Sequence, residues 1–300
     1  MSSGPNIFDR HLMRLRQSRA RRLGPATFLL DRVATEMGER LSAVLRQFDT
    51  AVDIGTLTSA VRRALAASKN VKTIVAAVAT PPDDDTFQRV AVDEEFLPFA
   101  DASLDLVVSA LALQFVNDLP GTLVQIRRAL KPDGLFLAAM IGGESLGELR
   151  ASFAAAESET EGGVSPHVAP FSDVRELGGL LQRAGFALPV VDTDRLVVRY
   201  DSVFALMNDL RRMGAANMLV ERRRRPIRRN TLARMAATYA ERFSDADARV
   251  RASFDIIWLS AWAPHEGQQK PLKPGSAAQR LADALGTTEI SAGEKPDRGR

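Results

Sequence analysis

Between residues 50 and 141 the chain alternates short apolar, β-branched runs with helical patterns, and this alternation constrains the fold more than any other feature. Thr50-Ala-Val-Asp-Ile54 reads as a buried strand stopped by Gly55, followed by a helix over Ser59–Ala67. Val71–Val78 reads as a second strand, leading into a turn with two prolines and three aspartates at Pro81–Asp85, and Arg89–Val92 as a short third. Leu104-Asp-Leu-Val-Val-Ser109 is almost continuously apolar, as a strand buried on both faces must be. Asp118 is placed to cap a helix whose Leu123, Ile126 and Leu130 recur at three- and four-residue spacing. Lys131-Pro-Asp-Gly134 stops it, and Leu135–Ile141 supplies a fifth strand. Strand and helix taken in turn predict an α/β fold on a mostly parallel sheet.

Beyond Gly142-Gly143 the pattern predicts helices over Leu146–Glu159, from a Ser172 cap to Ala184, over Ser202–Met213 and over Asn230–Phe243. Extended segments fall at Leu188–Tyr200 and Ser253–Trp262. From Lys270 onward aromatics are absent and Gly, Pro, Ser and Thr are frequent, so a disordered tail is expected over 269–300. Residues 1–40 form a basic helical segment in this reading, and 41–268 the main domain.

Composition removes several classes. With 45% hydrophobic and 26% charged residues, the 300-residue chain is neither disordered throughout nor collagen-like. It has no Cys, which excludes disulfides, thiolate nucleophiles and Cys-based zinc sites. Its three histidines, His11, His167 and His265, are too scattered for a metal motif, so no metal is expected. His265-Glu266 with His167 would formally suffice for a facial triad, but nothing in their spacing requires them to meet. No apolar run is long enough to cross a bilayer, and the start lacks the apolar core of a secretory signal.

The net charge of +3 conceals two dense arginine segments, six each in Arg10–Arg22 and Arg222–Arg229. They read as solvated helix faces, or as contact surfaces for an acidic protein or an anionic membrane. Aromatics are scarce around them and no reading module is present, which argues against nucleic acid.

Asp53-Ile-Gly55, Asp93-Glu-Glu-Phe-Leu-Pro-Phe99, Leu104–Ser109, Leu113-Gln-Phe-Val-Asn-Asp-Leu-Pro120 and Leu130-Lys-Pro-Asp-Gly134 resemble, in order and spacing, the class I S-adenosylmethionine-dependent methyltransferase pattern. Asn6-Ile-Phe-Asp-Arg10, Gly142–Arg150, Gly162–Phe171 and Arg183-Ala-Gly-Phe186 narrow the resemblance to mitochondrial complex I assembly factor 5 and its bacterial relatives, over roughly residues 6–270. The resemblance implies a Rossmann-like, seven-stranded, mostly parallel sheet with helices on both faces and a helical insertion at about 201–250 before the last strand. It implies S-adenosylmethionine as cofactor and a protein substrate, a complex I subunit, receiving a methyl group or an arginine hydroxylation. It further implies peripheral association with an anionic membrane surface. The location would be cytoplasmic, at the inner membrane face, in a bacterium, and the mitochondrial matrix in a eukaryote. The Arg-rich, acid-free start is compatible with a mitochondrial presequence, but Asn6–Arg10 matches a motif of the mature domain.

By the same resemblance, Asp53, Gly55, Thr56, Asp93, Glu94, Glu95 and Ser109 are expected at the cofactor, the acidic trio at the adenine edge. Ser109, Gln114 and His167 are the candidates for chemistry, His167 as a general base. Each has a plain structural alternative: Asp93–Glu95 as a solvated turn over inward-packed Phe96 and Phe99, Ser109 as a hydroxyl satisfying backbone, His167 as a loop histidine bonded to backbone. Three departures stand out. Leu57 and Ser59 replace loop glycines, and the ribose-gripping carboxylate after the second strand is missing, Ala77 standing there with no acid before Asp83. A non-catalytic assembly factor with a degenerate cofactor loop is therefore the alternative.

Overall fold

The computed structural model describes residues 6–79, 86–268 and 286–287. Met1–His265 forms one compact unit and Glu266–Arg300 another. The expected tail, 269–300, and Asp83 in the acidic turn lie outside the described residues, apart from 286 and 287.

Seven strands, β1 (Phe48–Ile54), β2 (Val71–Val78), β3 (Gln88–Ala91), β4 (Leu104–Ala110), β5 (Leu130–Gly142), β6 (Ala187–Tyr200) and β7 (Val250–Trp262), form one sheet in the order β3-β2-β1-β4-β5-β7-β6. The first five are parallel, and β7 runs antiparallel to both β5 and β6. Order reverses between β1 and β4, whose carboxyl ends therefore flank the crevice where such sheets take ligands. As expected of its apolar run, β4 is buried on both sides: Leu106, Val108 and Ala110 join one core cluster and Val107 the other.

Eight α-helices complete the described fold: α1 (Arg10–Arg22), α2 (Phe28–Ser42), α3 (Ala60–Ala67), α4 (Leu119–Ala129), α5 (Gly147–Glu161), α6 (Val174–Arg183), α7 (Val203–Arg212) and α8 (Arg229–Phe243). Asp118 caps α4 by accepting from Gly121 N at 2.8 Å. The cap of α6 is Asp173 rather than Ser172, because Glu176 three residues on completes a reciprocal capping box. β5 begins at Leu130, so Lys131-Pro-Asp-Gly134 forms an irregularity inside the strand pairing rather than a full break before it.

A boundary at residue 40 does not separate packing units. Leu29, Leu30, Val33, Met37 and Leu41 of α2 enter the same apolar cluster as α5, α7 and α8. Only α1 is a basic appendage, and it too is docked. Ile7 and Asp9 pair with Met218 and Val220 through backbone bonds of 2.9 Å, so the N-terminal strap grips the insertion that precedes β7.

Candidate active site

The turn after β1 is held from beneath. Asp53 is fully buried and its carboxylate is taken by the Arg62 guanidinium, one turn into α3, and by the Thr56 hydroxyl. Thr56 also accepts from Ala110 N at 3.1 Å, and Ser109 donates to Ile54 O at 2.8 Å. Of these residues expected at the cofactor, Thr56 and Ser109 join β1 to β4, and Asp53 joins β1 to α3. Gly55 is the residue that reaches the crevice. Its φ is +73°, and a Cβ there would lie 2.8 Å from Ala112 Cβ and 3.1 Å from Glu94 Cγ, so only glycine fits. Leu57 replaces a glycine without clash and lines the cavity, while Ser59 accepts a bond from Arg63 at the head of α3. Ala77 is fully buried in β2, its carbonyl bound to Gly55 N. Ala79, half-buried at the strand's mouth, supplies no carboxylate either.

The acidic loop is not a solvated turn. Arg10 donates to Asp93 at 2.6 Å and to Glu94, and its Nε lies 3.7 Å from Glu95; Arg14 adds a second bond to Asp93. Glu95 accepts from Asn117 N at 2.7 Å, and the Asn117 side chain binds Ile7 N and Phe8 N. Burial alone would raise the Asp93 carboxyl, yet the Glu95 N–H and the two arginines hold it below its ordinary value. Burial likewise opposes the Arg10 cation, and Glu94 and Asp93 outweigh it. Two of the first arginine segment's six arginines, Arg10 and Arg14, therefore latch onto the crevice rather than facing solvent. Phe96, expected inward, is 74% exposed, because the tight Asp93–Phe96 bridge turns it out; Phe99 does pack inward.

Between the strand ends and the insertion lies a cavity of about 390 Å³. Gly55, Leu111 and Gln114 form its floor, Leu29 and Leu30 of α2 one wall, and Phe153 and His167 another. Met207, Met213 and Ile227 of the insertion close it. Leu111 and Leu146 line it with positive φ, +52° and +55°, backbone strain that the packing around the site sustains. Among the described residues no carboxylate lines the cavity; its charged neighbours are Arg16 and Arg211. Gln114 is 8% exposed, donates to Leu111 O at 2.8 Å and leaves Oε1 buried without a protein partner.

His167 reaches the cavity on a buried support. Its Nε2 lies 2.8 Å from Glu157 Oε1 and 3.2 Å from Ser165 Oγ, and its ring stacks on Phe153 at 3.8 Å. Glu157 is 1% exposed; burial would raise it, but the Ser165 N–H and the His167 and Ser165 side-chain bonds hold it below the usual range. His167 is therefore bound to side chains, not to backbone. His265 is exposed and does not line the cavity, and among the described residues no three His, Asp or Glu side chains form a metal-sized group. The second arginine segment divides: Arg222 pairs with Asp9 at 3.2 Å and Arg223 with Glu161 at 3.0 Å, whereas Arg224, Arg225 and Arg229 are exposed. Arg62, Glu157 and the latch role of Arg10 escaped the sequence reading. A buried cation or anion carries no local signal until its distant partner is known.

Residues 50–138 match the methyltransferase domain family model. Over 289 residues the chain is 38% identical to the Danio rerio arginine-hydroxylase NDUFAF5, mitochondrial, covering 93% of this chain and 90% of that protein. The Homo sapiens protein of the same name is 40% identical over 281 residues, covering 91% and 81%. The chain belongs to the arginine-hydroxylase NDUFAF5 family. A malonyl-[acyl-carrier protein] O-methyltransferase of Xylella fastidiosa shares 41% identity over 172 residues, 57% of this chain and 56% of its own. In fold, the chain matches a Bacillus halodurans protein assigned as a methyltransferase, with TM-score 0.53 and 16% identity over 77% of this chain and 99% of that one. Among the described residues, no helix is long and apolar enough to cross a membrane.

Proposed function

We propose that this protein acts in respiratory complex I assembly on an arginine of a protein partner, a complex I subunit, with S-adenosylmethionine as its cofactor. The carrying observation is the cavity at the switch point, floored by Gly55 and Gln114 and covered by the insertion. The methionine end of the cofactor fits there. The glycine at residue 55 lets backbone approach a ligand there. When bound, the cofactor supplies a methyl-bearing sulfonium electrophile; the chain's own groups position and exclude water. Arg224, Arg225 and Arg229 support docking on an acidic partner surface at the face of the membrane that houses complex I. In a eukaryote the site of action would be the mitochondrial matrix.

A second reading keeps the fold and the partner but not the cofactor. It is favoured by Arg10 on the acidic loop and by the absence of a carboxylate at Ala77 and Ala79. Calorimetry with S-adenosylmethionine and S-adenosylhomocysteine separates the two readings, since no heat at millimolar ligand leaves only the second. Mass spectrometry of complex I subunits from a deletion strain then tests the arginine assignment: loss of one oxygen or one methylene at a single arginine is expected. An unchanged subunit set would overturn it.

A further inference from the structure

We infer that Glu157 and Ser165 hold His167 as the Nε2–H tautomer, so that bare Nδ1 is the cavity's acceptor for an N–H group of the substrate. The inference rests on the reading of the cavity as the reacting site. Glu157 Oε2 accepts from Ser165 N at 2.6 Å, and Oε1 accepts from Ser165 Oγ at 2.8 Å and faces His167 Nε2 at the same distance. A carboxylate can only accept, so Nε2 must be the protonated nitrogen. Nδ1 makes no hydrogen bond to the described residues, and stacking on Phe153 fixes the ring plane. The carboxylate is itself secured, because Arg223 lies 3.7 Å from Glu157 and 3.0 Å from Glu161, which also accepts from Thr231 at 2.8 Å.

This makes Glu157 a positioning residue for His167. A carboxylate behind an imidazole sets its tautomer and the orientation of its other nitrogen. Among the described residues no acid lines the cavity, and His167 Nδ1 and Gln114 Oε1 are two side-chain acceptors there without a protein partner, available to a planar N–H donor such as a guanidinium or amide. The other charged groups at the cavity, Arg16 and Arg211, are cations; Arg16 is turned away onto Asn217 O.

The test is nitrogen NMR on the full chain labelled at histidine, where three residues keep assignment simple. For His167 at pH 8 the expected result is a protonated Nε2 and an unprotonated Nδ1. Adding N-acetyl-arginine amide with S-adenosylhomocysteine should move the Nδ1 resonance and not that of His265. In Glu157→Leu the two tautomers should mix, and in Glu157→Asp the Nε2–H form should be recovered in part. An Nδ1–H tautomer in the native protein, or an Nδ1 resonance indifferent to the probe, overturns the inference. In a complemented deletion strain, His167→Gln with unaltered melting should lower arginine modification about a hundredfold. Full modification by that variant overturns the inference and leaves the proposed function standing. Absence of modification with the native protein defeats the proposed function, and the NMR result still decides the tautomer.

Discussion

On the side of the crevice next to β2 and the acidic loop, Asp93, Glu94 and Glu95 already have cationic partners in Arg10 and Arg14. On the side beneath the insertion, the wall is mostly apolar, holds no carboxylate among the described residues, and carries an unpaired Gln114 oxygen and the Glu157-backed His167. The first side has its electrostatic needs met from within the chain, so a ligand there must displace arginine or make do with what remains. The second retains unmet hydrogen-bonding capacity in a largely apolar cavity, where a correctly placed donor is worth more than in water. The unmet hydrogen-bonding capacity therefore lies on the insertion side, and the acidic side anchors α1.

Both sides stand on the Asp53–Arg62 pair, and the largest effect is expected there. Arg62→Met leaves a buried carboxylate uncompensated and should cost about 3–5 kcal/mol in urea unfolding, while Asp53→Leu with Arg62→Met should recover most of it. If the single variant loses no stability, the frame is not shared in this way. Restoring the missing features of the adenosine side is the next test. Ala79→Asp with Leu57→Gly should tighten S-adenosylhomocysteine about tenfold to a hundredfold by calorimetry, the gain of one charged hydrogen bond. Unchanged affinity would mean that the cofactor's ribose does not lie at the mouth of β2.

Removing the latch sharpens the contrast from the other direction. Arg10→Ala should cost roughly 1.5–3 kcal/mol and speed amide exchange in α1 while β4 and β5 stay protected. Equal loss of protection throughout would show that α1 is integral to the core. The smallest effect is acid sensitivity. Asp93 titrates lower in the folded chain than its ordinary 3.8, so its stabilising contribution is present above that value. The contribution is lost as pH falls through the depressed folded value, and α1 amides should lose protection in that window. In Arg10→Ala the window should shift towards the ordinary value; an identical profile in both proteins would detach Asp93 from the latch.

Much of the fold was legible because it is written in local patterns. The apolar run of Leu104–Ser109, the Asp118 cap and the Gly55 stop each depend on a few adjacent residues, and each lies where those residues imply. The site was legible only in part. Gly55, Gln114 and His167 line one cavity, whereas Thr56 and Ser109 tie β1 to β4 and Asp53 ties β1 to α3. A motif position does not reveal whether a polar side chain will be consumed by its neighbours.

What the sequence determined by itself was the order of strands and helices, and from that order the sheet's reversal between β1 and β4. It could not determine charge pairing. Arg10 and Asp93 stand 83 residues apart and Glu157 and His167 ten, and nothing in either segment names its partner. Only the folded chain brings α1 back across the acidic loop and turns His167 onto Glu157. Hydrophobic periodicity is a property of neighbours along the chain, whereas the partner that stabilises a buried charge is chosen by proximity in space.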